Sequence, residues 1–171
     1  IALVKTGSGT EILCVPNRYT GGTTVNGGLV VVSNAVNHGA LAVNGGTFRF
    51  PPSLTVNGSL SGAGGTIDTL DASAVLTVNQ ATNTTFAGVL SNAVALVKNG
   101  AGTLTMSGAN TFSGGTTVNQ GMVCFGRTSS KPASGSVTVA AGAGLGLGVG
   151  GSGCYSASDV DTLWSGAMAG V

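Results

Sequence analysis

The chain repeats one long motif at a fixed distance. Residues 2–28 read ALVKTGSGTEILCVPNRYTGGTTVNGG, and residues 95–121 read ALVKNGAGTLTMSGANTFSGGTTVNQG. Fifteen of the 27 aligned positions are identical, at a constant offset of 93 residues with no gap. Self-similarity at a fixed spacing is typical of proteins that stack one small unit on the next. It favours an elongated, modular object over a fold built around a single pocket.

A shorter period lies within the long one. The tripeptide Thr-Val-Asn, or a close variant, recurs through the chain, and its central valine defines a series to which Val4 and Val97 are added from the two long copies. The series is Val4, Val25, Val43, Val56, Val78, Val97, Val118 and Val139, with steps of 21, 18, 13, 22, 19, 21 and 21 residues. Only the step from Val43 to Val56 is short, so one structural unit takes about twenty residues.

Each unit contains short alternating segments, such as residues 23–26 and 103–106, separated by Gly-Gly, Asn-Gly or Gly-Ala-Gly. Alternation places Val, Leu and Ile on one face of a strand and Thr, Ser and Asn on the other. Glycine and asparagine tolerate the positive φ angles of sharp corners. Three short strands and three corners in each unit predict one coil of a parallel β-solenoid. A β-sandwich, with longer strands and hairpin loops, is the less favoured alternative.

Stacked coils place like residues above one another. At the usual strand spacing we expect a rod of about eight coils over residues 1–145, followed by a glycine-rich loop and a terminal capping segment over residues 146–171. Inward valines are expected to form a column, and the asparagines that follow them are expected to form a ladder of amides at a corner. The members of this structural ladder are Val25, Asn26, Val43, Asn44, Val56, Asn57, Val78, Asn79, Val118 and Asn119. The alternative is that these asparagines only permit turns.

The second long copy closely resembles the autotransporter-associated β-strand repeat, whose pattern is close to "L.K.GAGTLTLSGANTYSGGTTVNGG.L". The match is most specific over residues 102–119, whereas the first copy departs from the pattern at Glu11, Cys14, Pro16 and Arg18. The resemblance implies a right-handed parallel β-helix that is secreted or displayed on a bacterial surface. It implies a stalk or adhesive passenger with no shared catalytic residues.

Charge and hydropathy exclude several classes of partner. Charged residues make up 6% of the chain and the net charge is +1. Such a surface offers no basic field for nucleic acid or anionic lipid. We therefore expect no nucleic-acid partner. The sequence also lacks the long apolar run that a membrane span needs, so we expect no membrane span in this chain.

Few side chains could carry out chemistry. The carboxylates are Glu11, Asp68, Asp71, Asp159 and Asp161, and we expect the two aspartate pairs to be solvated or to cap turns. His38 is the only histidine and is interpreted as a turn residue. Since it has no second histidine and no nearby cysteine as a partner, we expect no metal site. The sequence therefore predicts no catalytic residue, no cofactor and no metal.

The three cysteines allow two interpretations. Cys14, Cys124 and Cys154 can be small buried side chains. Alternatively, Cys14 and Cys154 lie near the two ends of the expected rod, where they could meet across an intermolecular contact if copies stack end to end.

The C-terminal segment changes character. Ser156 is followed three residues later by Asp159, the spacing of a capping box, and Val160 and Leu163 then fall at helical spacing. This pattern predicts a short helix that covers the last coil.

Together these features favour a non-catalytic structural or adhesive solenoid that contacts a host or matrix surface. A narrower version makes the chain a filament subunit that self-associates by stacking end to end. The rival is a carbohydrate-binding or carbohydrate-active β-helix, for which Phe48, Arg49 and Phe50 are the nearest candidate platform. We interpret that segment as a loop packed on the solenoid wall.

Overall fold

The computed structural model describes residues 1–14, 21–33 and 36–164. In this part of the chain the backbone winds through seven turns of a parallel β-solenoid and begins an eighth. The prediction of a parallel solenoid is confirmed, with about one turn fewer than expected.

The strands follow one another in turn order. Turns 1 to 4 contain β1 (Leu3–Lys5) and β2 (Thr10–Leu13); β3 (Thr23–Val25), β4 (Leu29–Val32) and β5 (Val36–His38); β6 (Leu41–Val43), β7 (Thr47–Phe50) and β8 (Ser53–Val56); β9 (Leu60–Ser61), β10 (Thr66–Thr69) and β11 (Ala74–Asn79). Turns 5 to 7 contain β12 (Thr84–Phe86), β13 (Val89–Leu90) and β14 (Val94–Asn99); β15 (Thr103–Met106) and β16 (Thr116–Val118); β17 (Met122–Phe125) and β18 (Val137–Val139). Strand β19 (Gly144–Leu147) begins the eighth turn, and helix α1 (Ala157–Trp164) follows it.

The strands form three faces, each a ladder of parallel neighbours. Face 1 contains β1, β3, β6 and β9, then β12, β15, β17 and β19, and a parallel bridge between Gly62 and Phe86 joins its two halves. Face 2 contains β2, β4, β7, β10 and β13, and face 3 contains β5, β8, β11, β14, β16 and β18. In turns 6 and 7, residues 109–112 and 128–133 occupy the place of face 2 without forming strands. Each complete turn therefore has a three-sided cross-section.

Strict alternation separates the interior of the solenoid from its surface. Along β11, Ala74, Leu76 and Val78 are buried, whereas the residues between them are half-buried and point outward. Burying a side chain of this size stabilises the fold by roughly 1.5–3 kcal/mol. Successive turns repeat the pattern, so one continuous apolar core of valine, leucine, isoleucine and phenylalanine runs along the rod.

The predicted valine column is divided between two faces. Val25 pairs with Val43 on face 1, whereas Val56 pairs with Val78 on face 3. The short 13-residue step from Val43 to Val56 is a move from face 1 to face 3 within turn 3. Val118 also lies on face 3, two turns after Val78. The expectation of a single column is therefore wrong, because a repeated tripeptide marks a strand but not the face that the strand joins.

Two members of the valine series point outward. Val4 pairs with Thr24, and Val97 lies in the outward row of face 3. The inward residues in register with the valine columns are instead Lys5 and Lys98.

The two long copies occupy different faces. The first begins with β1 on face 1, and the second begins with β14 on face 3. Their 93-residue offset therefore corresponds to four complete turns and two further faces. The repeat is an interchangeable unit, since the same sequence fits either side of the triangle.

Glycines at the corners allow stacked turns to approach closely. A Cβ atom added to Gly114 would lie 2.6 Å from the backbone nitrogen of Ala95, closer than real Cβ atoms approach. The next residue, Gly115, has a φ angle of 79°, in the region that glycine favours. Both glycines are identical in the first copy, so stacking geometry accounts for their retention.

Two segments interpreted as a turn or a loop are strands. His38 lies in β5, pairs with Val56 and is buried, and its ring packs edge-on against Phe48 with centroids 5.6 Å apart. Phe48 and Phe50 lie in β7 and point into the core. The glycine and prolines that suggested loops come directly after these strands, at the corners.

Helix α1 begins at the predicted capping box. The Asp159 N–H donates to Ser156 Oγ (3.1 Å), and the Ser156 N–H donates to Asp159 Oδ2 (2.8 Å). The Ser156 N–H and the Ser156 hydroxyl both donate to the Asp159 carboxylate, and these two bonds lower the pKa of Asp159 below its usual value. Val160 of the helix packs against the core. The sequence predicts a boundary between the solenoid and the capping segment at residue 145. Strand β19 runs across that position. The division of the chain there stays a prediction.

Candidate functional site

Four asparagines form a hydrogen-bonded ladder at the end of face 3. Asn79 Nδ2 donates to Asn57 Oδ1 (2.7 Å), and Asn99 Nδ2 donates to Asn79 Oδ1 (2.8 Å). Asn119 Nδ2 then donates to Asn99 Oδ1 (2.9 Å). Asn79, Asn99 and Asn119 each donate to the asparagine of the preceding turn, so the face 3 Asn ladder links four successive turns in one direction.

The other two asparagines of the predicted ladder lie on face 1. Asn44 Nδ2 donates to Asn26 Oδ1 (2.9 Å), and Asn44 Oδ1 accepts the Ala63 N–H (3.3 Å). The structure therefore brings Asn26 and Asn44 together but does not place them with Asn57. Sequence reasoning missed Asn99, because it follows Lys98 rather than valine. Its position twenty residues from both Asn79 and Asn119 was the available signal.

Lys98 is a fully buried lysine held by backbone carbonyls. Its Nζ donates to Gly100 O (2.6 Å), Asn99 O (2.8 Å) and Gln120 O (3.4 Å), and none of its surface is exposed. Burial lowers the pKa of Lys98. The ammonium thus ties the corner of its own turn to the corner of the next, and we call this arrangement the lysine cradle.

The first copy contains the same cradle at the N-terminal end. Lys5 Nζ donates to Thr6 O (2.7 Å), Gly7 O (3.0 Å) and Gly27 O (3.4 Å). Lys5 is only half-buried, since it lies in the first turn. The lysine retained in both copies therefore stabilises corners and is not an exposed ligand-binding charge.

Asn110 uses its amide to replace backbone pairing where face 2 has no strand. Its Oδ1 accepts the Leu90 N–H (2.8 Å), and its Nδ2 donates to Ser130 O (2.6 Å). One buried side chain thus links turns 5, 6 and 7.

Gln80 has a similar role at the break in face 1. Its Nε2 donates to Thr82 O and Thr103 O, both at 3.0 Å, and its Oε1 accepts the Leu60 N–H (3.3 Å). The side chain is almost fully buried. The Gln80 side chain therefore forms hydrogen bonds with backbone groups of three turns. These bonds lie at the place on face 1 where few backbone bonds join β9 to β12.

The one pair of opposite charges in contact lies on the outward side of face 2, among the residues that the structure describes. Arg49 Nη2 lies 2.7 Å from Asp68 Oδ2, and Arg49 Nε donates to Asp68 Oδ1 (2.9 Å). This bidentate bond raises the pKa of Arg49. Asp68, expected to be solvated or to cap a turn, is instead nearly buried in this pair. Asp71 is not part of this ion pair, and its backbone N–H donates to Thr69 Oγ1.

The remaining reactive side chains are scattered. In residues 1–14, 21–33 and 36–164, no group of three or more His, Cys, Asp and Glu side chains is placed to hold a metal ion. Cys14 is exposed in turn 1, and Cys154 lies beyond β19 at the other end of the rod. The two therefore cannot approach within one molecule, and any contact between them would be intermolecular.

The comparisons with known proteins agree with this architecture. The Passenger-associated-transport-repeat family matches residues 3–32 and 96–123. Over 124 residues, or 70% of its length, the chain is 41% identical to "Adhesin BmaC autotransporter" of Brucella suis biovar 1 (strain 1330), of which it spans 3%. No solved structure matches. In the part of the chain that the structure describes, no helix has the length and hydropathy of a transmembrane segment. The chain carries the passenger-associated transport repeat twice, once in each long copy.

Proposed function

We propose that this pair of repeats forms a non-catalytic rod segment of a secreted or surface-displayed bacterial protein, with a structural and adhesive role. The proposal rests on what the residues that are identical in both copies do in the structure. Lys98 and Gly114, which are identical in both copies, hold turns together or let them approach closely. What the repeat preserves is thus the means of building length, whereas a catalytic or ligand site would preserve an exposed constellation.

The outward surface suits contact with other molecules. Rows of Thr, Ser and Asn run along the rod, and the net charge of +1 gives little long-range repulsion. The related Brucella protein is named an adhesin, and by analogy we assign this chain a contact with a host or matrix surface.

Removing one whole turn tests the rod proposal. Deletion of residues 74–93 joins Ser73 to Val94, and the pairing of Ala74 with Val94 and of Phe86 with Met106 keeps every later strand on its own face. We expect this variant to fold and to be shorter by about 4.8 Å, one strand spacing. Circular dichroism tests whether the variant folds, and small-angle X-ray scattering measures the length of the rod.

The matched control deletes only residues 84–93. This removes β12 and β13 but keeps β14, which would then have to join face 1, away from β11, its partner in register on face 3. We expect this shorter deletion to be the more damaging one. If the twenty-residue deletion unfolds the chain as completely as the ten-residue deletion, the rod proposal fails.

Adhesion is tested separately. Beads coated with the full chain should bind host epithelial cells saturably, and beads coated with the 74–93 deletion should bind less, because the outward surface is shorter. Binding no stronger than that of beads coated with an unrelated protein would refute the adhesive role and leave the structural one.

We also propose that the chain has no catalytic activity. Phe48 and Phe50, the platform of the carbohydrate alternative, point into the core, and Asp68 is bound to Arg49. Both observations weigh against a glycan-processing groove. Turnover of any polysaccharide that Asp71→Asn abolishes would contradict the proposal.

Stacking into a filament remains a narrower version of the proposal, with Cys14 and Cys154 as the residues that would meet. It requires that the first turn of one copy accept the last turn of another. Covalent dimers on a non-reducing gel that are absent from Cys14→Ser would support it, and monomers alone after oxidation would count against it.

A further inference from the structure

Four asparagines of the stacked corners are followed directly by glycine. They are Asn26 and Asn44 on face 1, and Asn57 and Asn99 on face 3. Asn-Gly is among the sequences that deamidate fastest, because glycine has no side chain to hinder attack by its backbone nitrogen. That nitrogen attacks the asparagine Cγ and forms a C–N bond, the Cγ–Nδ2 bond breaks, and Nδ2 leaves as ammonia with the glycine proton. Water then opens the cyclic imide to aspartate or isoaspartate.

At Asn99 both reacting groups are held by hydrogen bonds. Asn99 Nδ2, the leaving group, donates to Asn79 Oδ1 (2.8 Å). The nucleophile, the backbone nitrogen of Gly100, donates to Gln120 Oε1 (3.3 Å). Both bonds must break before the imide ring can close, so the face 3 Asn ladder protects this site.

Asn44 is held in the same way on face 1. Its Nδ2 donates to Asn26 Oδ1 (2.9 Å), and the backbone nitrogen of Gly45 donates to Val25 O (3.2 Å). Different partners therefore restrain the same two atoms at a second Asn-Gly step.

Asn57 and Asn26 lack both restraints. Each uses its Oδ1 to accept a bond from the next asparagine of its face. Within residues 1–14, 21–33 and 36–164, neither Nδ2 donates a hydrogen bond, and neither does the backbone nitrogen of Gly58 or Gly27. The leaving group and the nucleophile are thus both available at these two sites.

The preceding turn explains why these two sites are open. One residue beyond the pairing of β5 with β8, the corner below Asn57 has Gly39, which has no side chain to accept a bond. One residue beyond the pairing of β1 with β3, the corner below Asn26 has Thr6, which has no amide. Each run of amides therefore stops at a residue within the stack.

Exposure to water does not account for the difference. Asn26, Asn44 and Asn57 are all exposed, and Asn99 is half-buried. Asn26 and Asn44 in particular differ in their hydrogen bonds and not in their access to solvent. The comparison of these two sites isolates the effect of the bonds.

The carboxylate that deamidation creates also suits the open sites. A carboxylate at position 57 would still accept the bond from Asn79 Nδ2, now 2.7 Å from Asn57 Oδ1, and its charge would strengthen that bond. A carboxylate at position 99 would instead lose the donor to Asn79 Oδ1 and bring two acceptor oxygens together.

We propose that Asn57 and Asn26 are modification sites that deamidate while the chain stays folded, whereas hydrogen bonds protect Asn44 and Asn99. Conversion of both sites adds two negative charges and changes the net charge of the chain from +1 to −1. The outward corners of the rod thereby gain charge without loss of the bond that each site accepts. This proposal does not depend on the adhesive role.

The test follows deamidation of the full chain at mildly alkaline pH. Mass spectrometry of proteolytic peptides quantifies conversion at each Asn-Gly step over time, and circular dichroism shows that the sample stays folded. The same chain in urea gives the rates that the local sequence alone allows, and we expect the four sites to be similar there. A hydrogen bond that must break slows a step about fivefold, so two bonds predict rates about thirtyfold lower at Asn44 and Asn99 in the folded chain. Equal rates at the four sites of the folded chain would overturn the proposal.

A variant tests the nucleophile separately. Gln120→Ala removes the acceptor of the Gly100 nitrogen and should raise the rate at Asn99 about fivefold while leaving Asn57 unchanged. The matched control is Asn83→Ala, which removes a side-chain acceptor from the Thr103 N–H and should leave Asn99 as slow as in the wild type. An Asn99 rate that Gln120→Ala does not change, or that both variants raise equally, would contradict protection by this bond.

Two further variants carry the product of the reaction. Asn57→Asp should keep the urea midpoint of the wild type, and Asn99→Asp should lower it. A loss in Asn57→Asp as large as that in Asn99→Asp would show that the open site does not tolerate a carboxylate, against the proposal.

Discussion

Replacing Lys98 by methionine tests whether a buried ammonium stabilises the solenoid. Methionine keeps most of the length and apolar surface of lysine but cannot donate to the carbonyls of Asn99 and Gly100, now at 2.8 and 2.6 Å. Hydrogen bonds to charged groups contribute about 1.5–3 kcal/mol each. The contact with Gln120 O, at 3.4 Å, adds little. Relief of the desolvation of the ammonium offsets part of the loss, so we expect Lys98→Met to destabilise the chain by about 2–4 kcal/mol.

Lys5→Met is the matched control, because Lys5 makes the same three contacts in a half-buried position. Water can reach the carbonyls of the first turn when the ammonium is removed, so the expected loss is below about 1 kcal/mol. The contrast between the two lysines isolates the effect of burial on one geometry.

Urea unfolding at pH 7, followed by circular dichroism and by intrinsic fluorescence, measures both variants. Solenoids can unfold turn by turn, so the two signals must coincide before a free energy is extracted. A Lys98→Met variant as stable as the wild type, or a Lys5→Met variant equally destabilised, would refute the reasoning.

Three further predictions concern polar side chains of the stacked turns. Asn99→Ala loses one donated and one accepted bond of the face 3 Asn ladder and should lower the free energy of unfolding by about 1–2 kcal/mol. Asn119→Ala, at the end of the ladder, should lower it by about half as much. Equal losses in urea unfolding would contradict the ladder. Asn110→Ala leaves a backbone N–H and a carbonyl unpaired in the interior and should cost about 2–4 kcal/mol in the same assay; a loss below that of Asn119→Ala would be inconsistent with bridging. Burial lowers the pKa of His38, so the unfolded chain takes up a proton first and stability should fall as the pH drops below about 6.5. The melting temperature between pH 8 and 5 should show this fall in the wild type and a flatter profile in His38→Gln; a wild-type melting temperature that rises on acidification would contradict it.

Much of the fold could be predicted from the sequence, because the interior and the corners have separate signals. Alternation in segments such as residues 74–79 predicts strands with one buried side, and glycine and asparagine predict the corners. The capping box at Ser156 could be predicted for the same reason, since its two residues interact locally. The parallel winding followed from the unit length.

The assignment of strands to faces could not be predicted from the repeated tripeptide. A strand of three or four residues fits any side of the triangle, so Val43 and Val56 look equivalent although they lie on different faces. The short step between them was the only indication, and it reads equally well as a deletion.

The polar interior was missed for a different reason. Lysine and asparagine are usually exposed and histidine is often partly exposed, so the burial of Lys98, Asn110 and His38 depends on packing between turns that are distant in sequence. The retention of Lys98 in both copies, at an inward position, was a usable signal. Nothing in the local sequence indicated that carbonyls would surround it.

The most direct test of the central claim measures distances along one face. Outward residues of face 1 are in register from Val4 through Thr24 and Ala42 toward Thr105. Spin labels are placed at Thr105 and at one of the other three positions, with the native cysteines changed to serine, and pulsed electron paramagnetic resonance gives each separation. A parallel solenoid predicts backbone separations of about 14, 19 and 24 Å for partners at Ala42, Thr24 and Val4, one strand spacing per turn. Separations that fail to rise evenly from turn to turn would contradict the stacked architecture.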